Sequence, residues 1–153
     1  AHRRGVKHPA VSVFVLFQGR LLIQRRALGK YHTPGLWANT CCTHPFWGET
    51  PLDCAQRRLE QELGLRGVAL EHRGVVEYRA AVGGGLIEHE VVDLFLGDCA
   101  SEPELALNPE EVMEIRWVGI ADLRAEIAAR PEVFTPWLRI YLAEHADLVL
   151  AGS

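Results

Sequence analysis

The sequence predicts an α/β (α+β) fold in which a mixed β-sheet is sandwiched between helices. Three features carry this prediction: two apolar runs joined by a short glycine-containing turn, a helix with clear start and stop signals, and two alternating segments separated by three glycines. These elements follow one another along 153 residues without a repeat, a low-complexity tract or a Pro/Ser-rich linker. We therefore expect one domain over residues 1–153, preceded in the natural protein by a short additional segment.

The N-terminal part is predicted to form a β-hairpin followed by a long loop. The runs VSVFVLF (11–17) and LLIQRR (21–26) are rich in β-branched and other apolar residues, and the intervening QGR favours a tight turn. Residues 27–49 contain two prolines and show neither a strand nor a helix period, so we predict an irregular loop. Its length and its four aromatic residues favour a functional loop over a disordered segment.

The helices are predicted from capping residues and apolar spacing. In TPLDCAQRRLEQELG (50–64), Thr50 is a suitable N-cap, Pro51 suits the first turn, and Gly64 suits the C-terminal cap. The apolar stripe of this helix consists of Leu52, Ala55, Leu59 and Leu63. The remaining predicted elements are a strand at 114–120 and helices at 121–131 and 135–150.

The segment 74–98 is predicted to form a second β-hairpin around its three glycines. Alternation along LIEHEVV places Glu88 and Glu90 on one face of the strand and His89 on the other. If the turn is symmetric, Tyr78 lies opposite Glu90. The Tyr78 phenol then lies beside the Glu90 carboxylate, and the Glu88 carboxylate is the next side chain on the same face of the strand. The same pattern is also typical of an exposed polar face, and both interpretations stay open at this point.

Composition and charge exclude several classes of protein. A net charge of −4 and a pI of about 6.0 give no overall attraction to nucleic acid or to anionic membranes. No apolar run approaches the roughly 20 residues of a membrane span, and the N-terminal residues lack the apolar segment of a signal peptide. The four cysteines do not have the pattern of a disulfide framework. We therefore expect reduced thiols and a cytoplasmic protein that neither binds nucleic acid nor inserts into membranes.

Three histidines and two glutamates are candidate metal ligands. Imidazole and carboxylate donors together suit Mn²⁺, Zn²⁺, Fe²⁺ or Mg²⁺. The sequence alone does not bring these side chains together, and each histidine taken separately is more often a solvated side chain. The candidates are His2, His8, His44, Glu88 and Glu90.

A group of cationic residues could bind phosphate. Arginine and lysine hold phosphate oxygens by charge-assisted hydrogen bonds, and a carboxylate can hold a Mg²⁺ ion that bridges to phosphate. An ordinary solvated helix face with an Arg58–Glu62 ion pair is the competing interpretation. The residues concerned are Arg25, Arg26, Lys30, Arg57, Arg58 and Glu62.

The segment WANTCCTHP (37–45) contains two adjacent thiols and a histidine. A buried cysteine is more often a small apolar residue than a catalyst, but a thiol beside cations or a helix N-terminus can transfer protons. A nucleophilic cysteine with His44 as its base is the competing hypothesis. Cys42 and His44 have one residue between them, so they can point the same way only if the segment is extended.

From Thr43 onward, the pattern T-x5-E-x7-R-R-L-E-Q-E-L-G-L resembles a degenerate Nudix box. Thr43 stands where the box usually has its first glycine. Arg58 and Gln61 replace two of its metal-binding glutamates, whereas Glu62 is retained. The loss of two carboxylates argues against pyrophosphohydrolase chemistry, because a hydrolase uses that cluster to hold several Mg²⁺ ions and activate water. A Nudix pyrophosphohydrolase is kept as the alternative function.

The motifs RRALGKYHTPGLWANTCCTHP, YRA, EHEV and FTPWL together resemble the type I isopentenyl-diphosphate Δ-isomerase family, over nearly the whole chain. The resemblance implies a Nudix-type mixed sheet sandwiched between helices. It also implies an isomerase of isoprenoid biosynthesis that interconverts isopentenyl and dimethylallyl diphosphate by protonation and deprotonation through a carbocation-like intermediate. A non-catalytic module that binds metal or phosphate is a third hypothesis, but it gives no reason for Cys42, Tyr78 and Glu90 to occur together.

The resemblance also implies roles for individual residues. Cys42 and Glu90 would exchange protons with the substrate, and Tyr78 would be the partner of Glu90. One divalent metal, Mn²⁺ or Mg²⁺ with Zn²⁺ as the alternative, would be held by His2, His8, His44, Glu88 and Glu90. Glu62 would hold a Mg²⁺ ion that bridges to the substrate diphosphate, and the remaining substrate contacts would be made by Arg26, Lys30, Arg58 and Trp137. The expected partner is a small isoprenyl diphosphate, and the expected assembly is a monomer or a homodimer.

Overall fold

The computed structural model describes residues 7–30, 33–83 and 85–150, which form seven strands and four helices. The strands are β1 (Lys7–Phe17), β2 (Arg20–Arg26), β3 (Trp37–Ala38), β4 (Cys41–Thr43), β5 (Glu71–Gly83), β6 (Leu86–Cys99) and β7 (Val112–Gly119). The helices are α1 (Pro51–Leu63), α2 (Ile120–Ala129), α3 (Pro136–Glu144) and α4 (Ala146–Leu150), with a 3₁₀ turn at Pro131–Val133. None of the helices in the described part of the chain has the length and apolarity needed to cross a membrane.

The strands form one mixed sheet around β1. The order is β3-β2-β1-β6-β5, with β4 also paired to β1 and β7 to β2. Strands β1 and β6 run parallel, and the other pairs are antiparallel. One face of β1 packs through Val11 and Val13 in the cluster that includes α1, and the other packs through Phe14 and Leu16 in the cluster that includes α3. Both faces are covered, so the apolar run of β1 is continuous and the predicted sheet between helices is confirmed.

Helix α1 has the boundaries that its capping residues predict. The Thr50 side chain accepts a hydrogen bond from a backbone N–H of the first turn at 3.1 Å, and Gly64 ends the helix with a φ of 68°. A Cβ at Gly64 would lie 2.8 Å from Ala106, so the close approach and the positive φ both require glycine. Leu52 was predicted to belong to the apolar stripe but is 40% exposed, and Cys54 is buried instead.

Two predicted boundaries are wrong. The predicted loop at 27–49 contains β3 and β4, which form because β2 and β1 supply hydrogen-bond partners for strands too short to have a periodicity of their own. The predicted helix at 135–150 is interrupted at His145, whose φ of −131° separates α3 from α4. The break lets α4 pack on β5, where Leu148 lies against Gly74 and Val149 is buried in the core.

The β5–β6 hairpin has the predicted register at the residues that form the site. Tyr78 lies opposite Glu90. The turn itself is not symmetric, because an irregularity between Ala81 and Gly83 leaves Gly83 opposite Leu86. The pairing at the turn differs by one residue from the symmetric case, and the irregularity shifts the register back by one, so Tyr78 still lies opposite Glu90.

Candidate active site

A cavity of about 460 Å³ is lined by residues of β1, β2, β4, β5, β6, α1 and α3 and of the loops next to them. His8 lies opposite Glu90 in the β1–β6 register but does not line the cavity, and His2 lies outside the described residues. The fold brings the other ten predicted site residues together around this one space. They are Arg26, Lys30, Cys42, His44, Arg58, Glu62, Tyr78, Glu88, Glu90 and Trp137.

One part of the cavity, the charged cluster, consists of Lys30, Arg58, Glu62 and Glu111. Arg58 Nη2 lies 2.5 Å from Glu62 Oε2 and 2.7 Å from Glu111 Oε1. Lys30 Nζ donates to the same Glu111 oxygen at 2.6 Å, and Gln24 donates to Glu62 Oε1 at 2.9 Å. The ion pair predicted between Arg58 and Glu62 is confirmed, but it lines a cavity rather than an exposed helix face.

Neighbouring cations compensate the carboxylates of the charged cluster. Glu62 is 4% exposed, and a buried carboxylate is unfavourable unless it is paired and hydrogen-bonded. Burial alone would raise the pKa of Glu111, but the hydrogen bond and charge of Lys30 and the charge of Arg58 lower it. The cluster therefore combines cations with carboxylates in a way that suits an anionic ligand and its metal counter-ion.

A second part, the thiol cluster, consists of Ser12, Asn39, Cys42 and Tyr141. Cys42 Sγ lies 3.2 Å from Ser12 Oγ, its register partner on β1, and donates to Asn39 Oδ1 at 2.9 Å. Ser12 Oγ lies 2.7 Å from the Tyr141 hydroxyl oxygen. Burial raises the pKa of Cys42 to about 12, although the Ser12 hydrogen bond and the charge of Arg26 act in the opposite direction. The thiol is therefore protonated at neutral pH.

The two adjacent cysteines have different environments because successive side chains of β4 point to opposite faces. Cys41 is 0% exposed and packs in the core cluster that includes Leu59 of α1, where it donates to Glu62 Oε1 at 3.6 Å. Cys42 and His44 both line the cavity, as expected for an extended segment.

Glu88 and Glu90 are buried on the same face of β6, with exposures of 5% and 1%. The Tyr78 hydroxyl donates to Glu88 Oε1 at 2.6 Å, and His44 Nε2 lies 2.7 Å from Glu90 Oε1. The predicted position of Tyr78 opposite Glu90 is thus present in the backbone register. The phenol hydroxyl, however, donates its hydrogen bond to Glu88, two residues before Glu90 on the same strand. Burial, reinforced by Tyr141 and Glu88, raises the pKa of Tyr78 well above its ordinary value, so the phenol acts as a donor at neutral pH.

These acidic residues provide donors that suit a divalent cation. Carboxylates and imidazole are ligands for such ions, and burying two neighbouring carboxylates is unfavourable without a cation to compensate them. Within residues 7–30, 33–83 and 85–150, however, no group of three or more His, Cys, Asp or Glu side chains is arranged to hold a metal ion. The donor chemistry therefore fits a metal, while the five-residue ligand set stays a prediction.

Trp137 lines the cavity from the start of α3 and is 4% exposed. The guanidinium carbon of Arg26 lies 5.2 Å from the centroid of its ring, within the range of a cation–π contact. Thr135 anchors this end of the helix, because its hydroxyl accepts from the Leu138 N–H at 3.4 Å and its N–H donates to the Trp37 carbonyl at 2.8 Å. Arg26 and Trp137, which are both predicted to contact the substrate, therefore also contact each other.

Sequence reasoning missed four residues of the two clusters: Ser12, Asn39, Tyr141 and Glu111. Ser12 is the only polar residue in the apolar run 11–17, and this signal could have identified it. Tyr141 lies four residues after Trp137 and so faces the same side of α3. Glu111 belongs to a segment with no distinguishing pattern, and only its tertiary contacts reveal it.

The chain matches known proteins along nearly its whole length. The family model described as NUDIX domain matches residues 6–138. A protein named isopentenyl-diphosphate Delta-isomerase from Jannaschia sp. (strain CCS1) is 61% identical over 153 residues, which is 100% of this chain and 87% of that protein. A protein of the same name from Dinoroseobacter shibae is 61% identical over 97% of this chain and 85% of its own length. The solved MutT NUDIX hydrolase from Burkholderia pseudomallei has a TM-score of 0.69 at 23% identity, over 92% of this chain and 98% of that chain, and this likeness concerns the fold alone.

Proposed function

The chain belongs to the NUDIX-domain family and, within it, to the isopentenyl-diphosphate Delta-isomerases, and on this basis we propose that it interconverts isopentenyl diphosphate and dimethylallyl diphosphate in the cavity described above. One observation supports this reaction most directly: a thiol on β4 and two buried carboxylates on β6 open into the same cavity as a group of cations. Groups able to exchange protons thus stand beside a site suited to a diphosphate.

Moving the double bond of an unactivated alkene requires adding a proton at one carbon and removing a proton from another. The intermediate resembles a tertiary carbocation, so both transfers need a pocket that excludes water. We assign one transfer to Cys42 and the other to Glu90 assisted by Tyr78, with roles that exchange when the reaction reverses. Trp137 lines the same cavity, and a cation–π contact with the transient positive charge would contribute about 0.5–2 kcal/mol.

The charged cluster, together with Arg26, would bind the diphosphate. Arg26, Lys30 and Arg58 are assigned to the phosphate oxygens, and Glu62 is assigned to the Mg²⁺ ion that accompanies them. Lys30 and Arg58 both donate to Glu111, so a phosphate oxygen would compete with this carboxylate for the same donors. Such an exchange keeps both cations paired in the free and in the bound protein.

The buried glutamates would hold a divalent metal together with three histidines. We propose Mn²⁺ or Mg²⁺, with Zn²⁺ as the alternative, and the ligands His2, His8, His44, Glu88 and Glu90. When bound, the ion would supply positive charge that fixes the orientation of Glu90 and favours its ionised form. The position of His8 opposite Glu90 across β1 and β6 supports its inclusion.

We also propose that the enzyme works in the cytoplasm. All four cysteines are free thiols, which is typical of a reducing compartment and supports a cytoplasmic location. We expect a single domain that acts on a small molecule as a monomer or a homodimer, without a nucleic-acid partner.

Incubation with isopentenyl diphosphate and Mg²⁺ in D₂O tests the proposal. We expect dimethylallyl diphosphate, deuterium in the product, and no released phosphate. NMR detects the product and its deuterium, and a phosphate assay measures phosphate release. The same protein treated with EDTA is the control for the metal requirement. Phosphate release without an allylic product would contradict the isomerase and favour the alternative Nudix pyrophosphohydrolase.

A further inference from the structure

The thiol cluster contains a line of hydrogen bonds that joins four segments of the chain. Tyr141 on α3, Ser12 on β1, Cys42 on β4 and Asn39 just before β4 follow one another at 2.7, 3.2 and 2.9 Å. Ser12 and Tyr141 are 1% exposed, and Asn39 is 0% exposed. Because these groups are shielded from bulk water, each depends on its neighbours in the line for hydrogen bonding.

The direction of each hydrogen bond follows from the amide of Asn39. Its Nδ2 group donates to two backbone carbonyls, at 2.9 and 3.3 Å, so its Oδ1 atom faces Cys42 and can only accept. The single thiol hydrogen of Cys42 is therefore directed to Asn39, and the sulfur can only accept from Ser12. Ser12 gives its one hydrogen to the sulfur, so its oxygen accepts from Tyr141. The donors thus run from Tyr141 through Ser12 to Cys42 and end at Asn39.

We propose that Ser12 and Tyr141 are positioning residues that keep a hydrogen-bond donor on the sulfur of Cys42 while the thiol exchanges its proton with the substrate. This inference rests on the proposed isomerase function. When Cys42 donates, the S–H bond breaks and the π electrons of the alkene form the new C–H bond. The sulfur is left with a negative charge that the Ser12 hydroxyl shares, and a second proton leaves another carbon of the substrate to the base on the other side. In the reverse reaction, the same hydroxyl accompanies the sulfur as it takes the proton back.

Asn39 has a complementary effect in the free protein. It does not line the cavity, so the thiol hydrogen points away from the substrate space until it rotates about the Cβ–Sγ bond. Asn39 therefore satisfies the thiol hydrogen when no substrate is present, whereas Ser12 stays on the sulfur during the reaction.

A double-mutant cycle of Ser12→Ala and Tyr141→Phe tests the proposal, because the proposal requires the Tyr141 hydroxyl to act through Ser12. The ring of Tyr141 packs edge-on against Phe14 and Tyr78, at centroid distances of 5.6 and 5.9 Å, and phenylalanine keeps this packing. We expect kcat to fall about tenfold in Ser12→Ala and about threefold in Tyr141→Phe, with KM for isopentenyl diphosphate changed by less than about twofold. In the double variant, the loss of kcat should stay about tenfold rather than reach about thirtyfold.

Two further variants separate positioning from packing. Ser12→Thr keeps the hydroxyl and should recover most of the kcat that Ser12→Ala loses. Thr40→Val is the matched control, because the Thr40 hydroxyl is also buried but, among the described residues, bonds only to the backbone of Val15 and Leu22, at 2.9 and 2.6 Å. This variant should lower the melting temperature and leave kcat within about twofold of the parent.

Losses that multiply in the double variant, or an effect of Ser12→Ala on KM alone, would overturn the proposal. An active parent whose kcat is unchanged by Ser12→Ala would contradict this inference while leaving the proposed isomerase function intact. A parent that releases phosphate and forms no allylic product would contradict the isomerase function and this inference with it.

Discussion

The charged cluster and the thiol cluster line the same cavity, but different forces hold them together. In the charged cluster, Lys30 and Arg58 share the carboxylate of Glu111, and these three side chains are 20–24% exposed. In the thiol cluster, neutral groups bond to one another, and Ser12 and Tyr141 are 1% exposed. Accessible charges can exchange a carboxylate for a phosphate, whereas buried neutral groups suit the proposed proton transfer between carbon and sulfur. The difference supports the proposal that separate parts of the cavity serve substrate binding and proton transfer.

The largest effect is expected from Cys42→Ala, which removes the proposed proton carrier of the thiol cluster. Turnover of isopentenyl diphosphate should fall at least about 10²-fold in steady-state assays, because general acid–base groups contribute about 10²–10⁴-fold. Cys41→Ala is the matched control: this thiol packs against α1, so its loss should lower the melting temperature but leave most of the turnover. Equal losses of turnover in the two variants would show that the intact segment matters rather than the Cys42 thiol.

The Glu88→Gln variant tests whether Glu88 and Glu90 help to bind a metal ion. Glutamine keeps an acceptor for the Tyr78 hydroxyl but removes a charged ligand, so metal affinity and turnover should both fall by at least the roughly 10- to 100-fold that loss of an outer-shell partner costs. Metal content after dialysis and steady-state turnover are the measurements. Glu114→Gln, which alters an exposed acid paired with Arg25, is the control and should change neither. Full metal content together with full turnover in Glu88→Gln would count against the assigned ligand set.

Glu62→Gln should affect binding more than chemistry, as the separation of the two clusters requires. The change removes the proposed Mg²⁺ ligand and the charge of one of the two carboxylates paired with Arg58, so KM should rise about tenfold at fixed Mg²⁺ while kcat changes less than about threefold. Glu60→Gln, at an exposed position of the same helix paired with Arg66, is the control. An effect confined to kcat would show that the charged cluster takes part in the chemical step.

The smallest effect concerns the acid stability of the charged cluster. Burial would raise the pKa of Glu111, yet Lys30 and Arg58 hold it below its ordinary value. Its contribution to folding is therefore present above the ordinary carboxyl pKa of about 4.3 and is lost as the pH falls through the lower folded value. For partly exposed pairs this contribution is about 1 kcal/mol or less. Melting temperatures of the parent and Glu111→Gln should converge on acidification, and a difference that stays constant with pH would refute the pairing.

Features that depend on nearby residues could be predicted from the sequence. Thr50 and Gly64 mark the ends of α1 because their capping groups act within one turn of the helix. Counting outward from a glycine turn paired Tyr78 with Glu90 correctly. The strands β3 and β4 and the break at His145 could not be predicted in this way, because pairing with distant strands and packing on β5 decide them.

The sequence by itself determined which chemical groups the protein carries and which local elements present them. Only the tertiary structure decided that Ser12 meets Cys42, 30 residues away, and that Lys30 and Arg58 share Glu111. It also decided that the Tyr78 hydroxyl donates to Glu88. The physical reason is that contacts across a sheet depend on strand order and register, and burial of the whole core sets these rather than any single segment.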